Sequence, residues 1–143
     1  MAGSAEELGR EELVQLVDGR TDAEIADAVG ALGTDAVLAR ALNGMVDAFV
    51  PERAGHQAAV VQWDVTVPDG LRSWQFTTED GTASVVEGTP APARVTLALA
   101  LPDFLRFLAG RLDGMQAFMS GRLRVSGDLM LAQAMQSWFD RPA

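Results

Sequence analysis

The chain has 143 residues, 48% of them hydrophobic and 6% aromatic, with a formal net charge of −9 and neither cysteine nor lysine. This length predicts one domain with its own core, and no apolar run is long enough to predict a membrane-spanning helix. Residue types exclude disulfides, thiolate and Schiff-base chemistry and a Walker phosphate loop, and an acidic chain lacks the cationic surface that nucleic acids and anionic membranes require.

The first 34 residues hold 8 of the 20 acidic residues and only 2 of the 11 basic residues. Ser4 with Glu7, and Thr21 with Glu24, have the spacing of a capping box, which predicts the start of two helices. The second start is followed by a narrow apolar stripe, so this helix needs a surface to pack on before it is stable. We interpret residues 1–34 as an N-terminal helical extension whose acidic side chains form a solvated face.

The periodicity of the chain changes from helical to strand-like near Gln57. Before this point a third helix is predicted to begin at Thr34 or Asp35 and to stop at Pro51. After it, apolar and polar residues alternate, which is typical of strands. Glycine-containing turns separate three predicted strands that form a meander, and a fourth follows: Val61–Val67, Trp74–Thr77, Ala83–Glu87 and Val95–Leu101.

The C-terminal part predicts a helix, a short helix or turn, a fifth strand and a closing helix. Pro102 and Asp103 suit the first turn of a helix, because that turn has spare N–H donors and a positive dipole end. The closing helix is predicted over Asp128–Phe139. The fold class predicted is α+β, with two layers, in which helices cover a five-stranded, mainly antiparallel sheet.

Catalytic side chains are scarce. The only histidine, His56, lies in a predicted loop without a partner that would make it a base, so it is interpreted as solvated. Zinc and most transition metals need histidine or thiolate clusters, which the composition excludes. The carboxylates of Asp64, Glu79 and Asp80 lie at strand ends and a turn, which favours solvation over acid–base catalysis. No cofactor and no metal are therefore expected.

The C-terminal helices contain flexible and aromatic apolar residues that must face the sheet: Phe104, Leu108, Met115, Phe118, Met119, Met130, Met135, Trp138 and Phe139. By composition alone, such residues more often form an ordinary core than a binding site. Methionine adapts to irregular space, which also suits a cavity wall. The residues themselves leave both interpretations open.

The order of residues in this part is similar to a known family. It comprises a phenylalanine, a glycine followed by a basic residue, alternating hydrophobic residues, a glycine–aspartate pair and an amphipathic helix ending in an aromatic residue: Phe118, Ser120, Gly121, Leu123, Val125, Gly127, Asp128, Leu131, Ala132 and Phe139. This pattern resembles the sterol carrier protein 2 family, and the resemblance extends upstream to about Val37. It implies an SCP2-like domain over residues 35–143, with a lipid-lined tunnel between the sheet and the C-terminal helices.

The resemblance implies that the nine apolar residues of the C-terminal helices contact the ligand. The leading hypothesis is non-catalytic binding, and transfer, of a sterol, a fatty acyl group, acyl-coenzyme A or another lipid. One alternative is a small cyclase or isomerase that uses the same apolar cavity. Another is an accessory subunit that docks a protein partner through its acidic N-terminal helices. No nucleic acid and no stable membrane insertion are expected. Without a secretory signal or a C-terminal peroxisomal tripeptide, the predicted location is cytoplasmic.

Four arginines are candidates for contact with an anionic head group: Arg106, Arg111, Arg122 and Arg124. Arg122 and Arg124 flank Leu123 on a predicted strand, so they are expected on the face opposite Leu123. With an arginine of the neighbouring helix they would form a cationic patch on an acidic protein. The alternative is that nearby carboxylates pair with these arginines.

Overall fold

The computed structural model describes residues 10–55 and 58–139. The helices within these ranges are α1 Arg10–Val17, α2 Asp22–Leu32, α3 Thr34–Ala48, α4 Pro51–Ala54, α5 Leu101–Leu108, α6 Gly114–Met119 and α7 Leu129–Met135. The strands are β1 Ala59–Val67, β2 Gly70–Glu79, β3 Thr82–Glu87, β4 Val95–Ala100 and β5 Arg124–Gly127. A single 3-10 turn, Gln136–Trp138, follows α7.

The strands form one mixed sheet in the order β3-β2-β1-β4-β5. The pair β1–β4 is parallel, and the other three pairs are antiparallel. The five-stranded, mainly antiparallel sheet is thus confirmed, as is the meander β1–β2–β3. The predicted turn between β2 and β3 is also present, with φ of 51° at Asp80 and 78° at Gly81. These left-handed values suit a two-residue hairpin turn.

Alternation along the central strands decides which face is buried. Val61, Trp63 and Val65 of β1 are buried, and so are Val95 and Leu97 of β4. The polar side chains between them lie on the opposite face of the sheet, because successive side chains of a strand point to opposite faces. The helices cover the apolar face, as a two-layer α+β domain requires.

The N-terminal helices pack on α5 and contribute to the same core. Leu13 and Val17 of α1, with Ile25 and Val29 of α2, are buried in the cluster that includes Phe104 of α5. The predicted division into residues 1–34 and 35–143 stays a prediction, and the helical character of α1 and α2 is confirmed.

Helix starts follow the predicted chemistry where the structure describes them. Thr21 and Glu24 form a complete capping box, in which the Glu24 amide donates to the Thr21 hydroxyl at 3.2 Å and the Thr21 amide donates to the Glu24 carboxylate at 2.8 Å. The predicted cap at Ser4 and Glu7 lies outside the described residues. The third helix ends at Ala48, and Pro51 begins the short helix α4. Proline suits that first helical position because its missing N–H would have no partner there.

Candidate functional site

An apolar cavity of about 50 Å³ lies between the sheet and helices α5 to α7. Its lining residues are hydrophobic except for two glutamines: Trp63, Leu97, Leu99, Phe107, Leu112, Gly114, Met115, Ala117, Phe118, Leu123, Val125, Leu129, Ala132, Gln133, Met135 and Gln136. No lining residue has an acidic or a basic side chain. The chemistry of this wall therefore favours an apolar occupant.

The sheet side of the cavity is a row of side chains across three strands. Trp63 of β1 is in register with Leu97 of β4, which in turn is in register with Val125 of β5. Residues in register on one face are close neighbours, so these three form a continuous surface. The indole of Trp63 packs against two aromatic rings of α5, with centroid distances of 5.2 Å to Phe104 and 5.9 Å to Phe107.

The helix side of the cavity consists of two short helices, each capped by an aspartate. Asp113 accepts a hydrogen bond from the Gln116 amide at 3.0 Å and begins α6, and Asp128 accepts one from the Leu131 amide at 3.0 Å and begins α7. A side-chain acceptor at this position satisfies an N–H that has no partner within the helix. The caps therefore fix where the two helices lie over the sheet.

The outer edge of the cavity is apolar and accessible. The side chains of Met115 and Phe118 on α6, and of Leu129 on α7, line the cavity and are also exposed. Met119 and Met130 are more exposed still and lie outside the lining. Large apolar side chains grouped at the mouth of an apolar cavity are typical of an entry to a ligand site.

The structure brings three of the nine predicted contact residues together at the cavity, namely Met115, Phe118 and Met135. Phe104 is fully buried behind Trp63, and Leu108 is half-buried against the core. Met119 and Met130 point to the outside of α6 and α7. Ligand contact by the nine residues stays a prediction, with three of them on the cavity wall.

Trp138 and Phe139 belong to a separate aromatic cluster. Phe49 is the centre of this cluster, with ring centroids 6.3 Å from Trp138, 6.1 Å from Phe139 and 5.8 Å from Phe76. The cluster packs the last described residues, Trp138 and Phe139, against Phe49, the residue that follows α3. Neither Trp138 nor Phe139 lines the cavity.

Sequence reasoning missed the sheet side of the cavity. Trp63, Leu97 and Leu99 were assigned to buried strand faces by their alternation, which is correct, but alternation is the same for a packed core and a cavity wall. Gly114 was missed as well. A Cβ at this position would lie 2.8 Å from the side-chain oxygen of Gln136, so a larger residue would require the glutamine side chain to move.

Three of the four candidate head-group arginines are paired with carboxylates. Arg106 donates to the buried Asp103 at 3.0 Å and also contacts Asp22, while Arg122 donates to Asp103 through two nitrogens. The hydrogen bond from Arg122 to Asp103 raises the pKa of the Arg122 guanidinium. These contacts connect the start of α2, the first turn of α5 and the turn before β5.

Arg111 donates to Asp18 at 2.8 Å, and this hydrogen bond raises the pKa of Arg111 and lowers that of Asp18. Arg124 is exposed at the start of β5 and has no carboxylate partner in the part of the chain that the structure describes. None of the four arginines lines the cavity. Their role as head-group contacts stays a prediction.

The remaining candidates for chemistry lie away from the cavity. His56 is outside the described residues. Asp64 is half-buried on the opposite face of the sheet, where it accepts hydrogen bonds from Gln62 and Ser73 at 2.9 Å each, and Glu79 is exposed at the end of β2. Among the residues described, no group of three His, Cys, Asp or Glu side chains is arranged to hold a metal ion. No helix in the same ranges is long and apolar enough to cross a membrane.

Asp128 makes the start of α7 sensitive to acid. The hydrogen bond from the Leu131 amide, and after it the one from Arg94 at 2.8 Å, lower the pKa of this carboxyl. A carboxyl whose pKa is lowered by folding stabilises the folded state above its unfolded pKa of about 3.9. That stabilisation is lost as the pH falls through the lower, folded value.

We therefore expect the urea midpoint of the wild type to decrease as the pH is lowered below about 5, and Asp128→Asn to reduce the slope of this decrease. Asparagine still accepts the hydrogen bond of the cap but does not titrate. Asp27→Asn is the control, because Asp27 on α2 is exposed and has no ion-pair partner within the described ranges. Equal slopes for Asp128→Asn and the wild type would contradict the assignment.

Known proteins with similar sequence match a part of the chain. Peroxisomal multifunctional enzyme type 2 from Mus musculus is 34% identical over 80 residues, which is 54% of this chain and 11% of that protein. The match thus spans about a tenth of the length of that relative. The likeness concerns one segment and not the whole enzyme.

Solved structures show the same fold at low identity. Sterol Carrier Protein 2 Like 2 from Aedes aegypti has a TM-score of 0.60 and 22% identity, and the alignment covers 75% of this chain and 96% of that one. The sec-alkylsulfatase Pisa1 from Pseudomonas sp. has a TM-score of 0.63 and 21% identity, covering 80% of this chain and 17% of that one. The profile of the SCP-2 sterol transfer family matches residues 40–140, from within α3 to beyond the last described residue. The chain belongs to the SCP-2 sterol transfer family.

Proposed function

We propose that this chain binds an elongated apolar ligand, and transfers it, in the cavity between the sheet and helices α6 and α7. The observation that carries the proposal is the lining, which is apolar from Trp63 of β1 to Met135 of α7 and opens to an exposed apolar edge. Membership in the SCP-2 sterol transfer family supports the same function. A sterol, a fatty acyl group or another lipid would fit this chemistry.

The ligand would enlarge the cavity on binding. Ligand pockets usually have volumes of roughly 300–1,000 Å³, against about 50 Å³ here. The helices best placed to move are α6 and α7, with 6 and 7 residues, because helices this short depend on tertiary packing. Methionine at 115 and 135 allows the wall to adapt as they move. The same displacement would admit and release the ligand.

Burial of ligand surface would supply the affinity. Removing apolar area from water contributes about 25 cal/mol per Å², or about 0.8 kcal/mol for each methylene group. Part of this gain offsets the lost freedom of the ligand and the movement of the helices. Affinity is therefore expected to rise with chain length until the enlarged cavity is full.

Covalent chemistry is not included in the proposal, because the lining has no side chain that could act as a general acid or base. Three of the four candidate arginines, Arg106, Arg111 and Arg122, would have to give up an ion pair to bind an anionic head group. Arg124 would not have to break an ion pair with any described residue. The cytoplasmic location and a protein partner for the acidic helices stay predictions.

Phe118→Ala tests the proposal, because this ring lines the cavity and is 41% exposed. We expect the variant to bind a fluorescent fatty acid more weakly by roughly 1–2 kcal/mol, since part of a phenyl contact is lost. Its stability should change little, because a partly exposed ring leaves no closed cavity behind. Fluorescence titration and urea unfolding measure the two effects.

Leu71→Ala is the matched control, because Leu71 is an exposed apolar residue of β2 outside the lining. Native mass spectrometry of the purified protein, followed by organic extraction, would identify a ligand carried from the host. If the fluorescent fatty acid and extracted lipids both fail to bind the folded wild type, the proposal is wrong. Equal affinity of Phe118→Ala and the wild type would place the ligand elsewhere.

A further inference from the structure

The indole N–H of Trp63, a residue of the cavity wall, is a buried donor without an acceptor among the described residues. Trp63 is 1% exposed and lines the cavity, and no described residue accepts a hydrogen bond from its Nε1 atom. Buried polar groups are almost always paired, because an unpaired one has lost its hydrogen bonds to water and gained none. An indole N–H can only donate, so its partner must supply an oxygen or another acceptor.

The described surroundings of Trp63 are mostly apolar. The rings of Phe104 and Phe107 lie against the indole, and its register partners on the flanking strands are Trp74 and Leu97. The polar side chains of the cavity wall, Gln133 and Gln136, belong to α7 and the 3-10 turn after it. A water molecule would find few of the two to four polar partners that it needs in such a site.

We infer that the ligand has a neutral acceptor oxygen on the part that reaches the sheet, and that Trp63 Nε1 donates a hydrogen bond to it. The inference rests on the proposed function and narrows its ligand class to esters, ketones and alcohols with a long apolar body. Phe104 and Phe107 restrict rotation of the indole, so the donor is held in place before the ligand arrives. Because of this hydrogen bond, the end of the ligand that carries the oxygen binds in the interior of the cavity.

A carboxylate does not suit this position. Burial of an ion is unfavourable unless counter-charges and several hydrogen bonds compensate it, and one N–H provides neither. The wall contains no cation, and the nearby Arg106 and Arg122 are already paired with Asp103. A free fatty acid would therefore keep its carboxylate outside, at the edge of the cavity.

Three probes separate these possibilities: methyl undecanoate, n-tetradecane, which has the same number of non-hydrogen atoms, and undecanoate. Each is delivered from cyclodextrin, and its affinity is obtained by displacement of the fluorescent fatty acid from the wild type and from Trp63→Phe. Phenylalanine keeps an apolar ring and removes the N–H. Trp74→Phe is the control, because Trp74 is also a tryptophan of the sheet but does not line the cavity.

Trp63→Phe is expected to weaken methyl undecanoate by about three- to tenfold, the size of one net hydrogen bond. The affinities of n-tetradecane and undecanoate should change by less than about twofold. Trp74→Phe should leave the affinities of all three probes unchanged. An equal loss for the ester and the alkane would overturn the inference, because it would show that the ring supports packing alone. Failure of methyl undecanoate to displace the fluorescent fatty acid from the wild type would overturn the inference alone, whereas failure of the fluorescent fatty acid and of extracted lipids to bind would overturn the proposed function as well.

A second measurement follows the indole N–H resonances of the wild type as each probe binds. The protein has three tryptophans, whose indole N–H resonances can be assigned with the two phenylalanine variants. Methyl undecanoate should move the Trp63 resonance downfield, as a new hydrogen bond does, and n-tetradecane should not. Identical spectra with ester and alkane would show that the ligand supplies no acceptor to Trp63, and the inference would be wrong.

Discussion

Replacement of Gly127 by alanine is expected to destabilise the protein by roughly 2–6 kcal/mol. A Cβ at this position would lie 2.5 Å from the carbonyl oxygen of Arg94 and 3.2 Å from the Cα of Val95, and φ is +99°. Both obstacles are backbone atoms, one in the residue before β4 and one in its first residue, so no side-chain rotation relieves the clash. The free energy of unfolding from urea titration measures the loss.

Gly121→Ala is the matched control for Gly127→Ala. Gly121 also has a positive φ, of +82°, but a Cβ there would meet no atom within 4 Å. Gly121→Ala is expected to lower the free energy of unfolding by about 1–2 kcal/mol, because only the positive φ disfavours alanine there. Equal losses at the two positions would show that the contact with Arg94 is not the cause.

The position of Gly127 connects stability to the cavity. The amide of the next residue, Asp128, donates to the Arg94 carbonyl at 2.9 Å, and the Asp128 side chain begins α7. If β5 moves away from Arg94, α7 loses its place over the sheet. In conditions where Gly127→Ala remains folded, we expect weaker binding of the fluorescent fatty acid, measured by the same titration as for Phe118→Ala.

Trp138→Ala is expected to lower the free energy of unfolding by about 3–5 kcal/mol. Trp138 is 3% exposed and packs edge-on against Phe49, and its carbonyl accepts a hydrogen bond from the Val50 amide at 2.7 Å. Removing the indole leaves space that the surrounding rings can fill only in part. Thermal and urea unfolding measure the change.

Trp138→Ala and Phe118→Ala are expected to have opposite profiles. The folded fraction of Trp138→Ala should keep its affinity for the fluorescent fatty acid, because Trp138 does not line the cavity, whereas Phe118→Ala should lose affinity and keep stability. A comparable loss of affinity in folded Trp138→Ala would place Trp138 on the path of the ligand and extend the site towards the aromatic cluster.

Local features of the fold could be predicted from the sequence because each depends on a few neighbouring residues. The capping box of Thr21 and Glu24 and the turn at Asp80 and Gly81 need only the residues that form them. Alternation over Val61, Trp63 and Val65 likewise indicated which face of β1 is buried. The pairing of the fourth strand was beyond such reasoning, because β4 lies parallel beside β1 across residues distant in the chain.

The candidate site was predictable in composition but not in geometry. Methionine and aromatic residues on the C-terminal helices indicated a region, yet Met115 lines the cavity while Met119 points outward from the same helix. A helix of 6 residues has too few apolar positions to show which face it buries. The pairing of Arg106 and Arg122 with Asp103 also joins residues that no sequence pattern links.

The sequence by itself determined the helices and strands, the apolar face of the sheet and the family, since these follow from short-range periodicity, turn chemistry and residue order. Only the tertiary structure decided that Trp63, Leu97 and Val125 form one wall, and that no residue within 10–55 and 58–139 accepts a hydrogen bond from the indole N–H of Trp63. The physical reason is that periodicity indicates only which positions of an element have buried side chains. Which groups such a side chain meets there depends on the packing of remote segments, and that arises only when the whole chain folds.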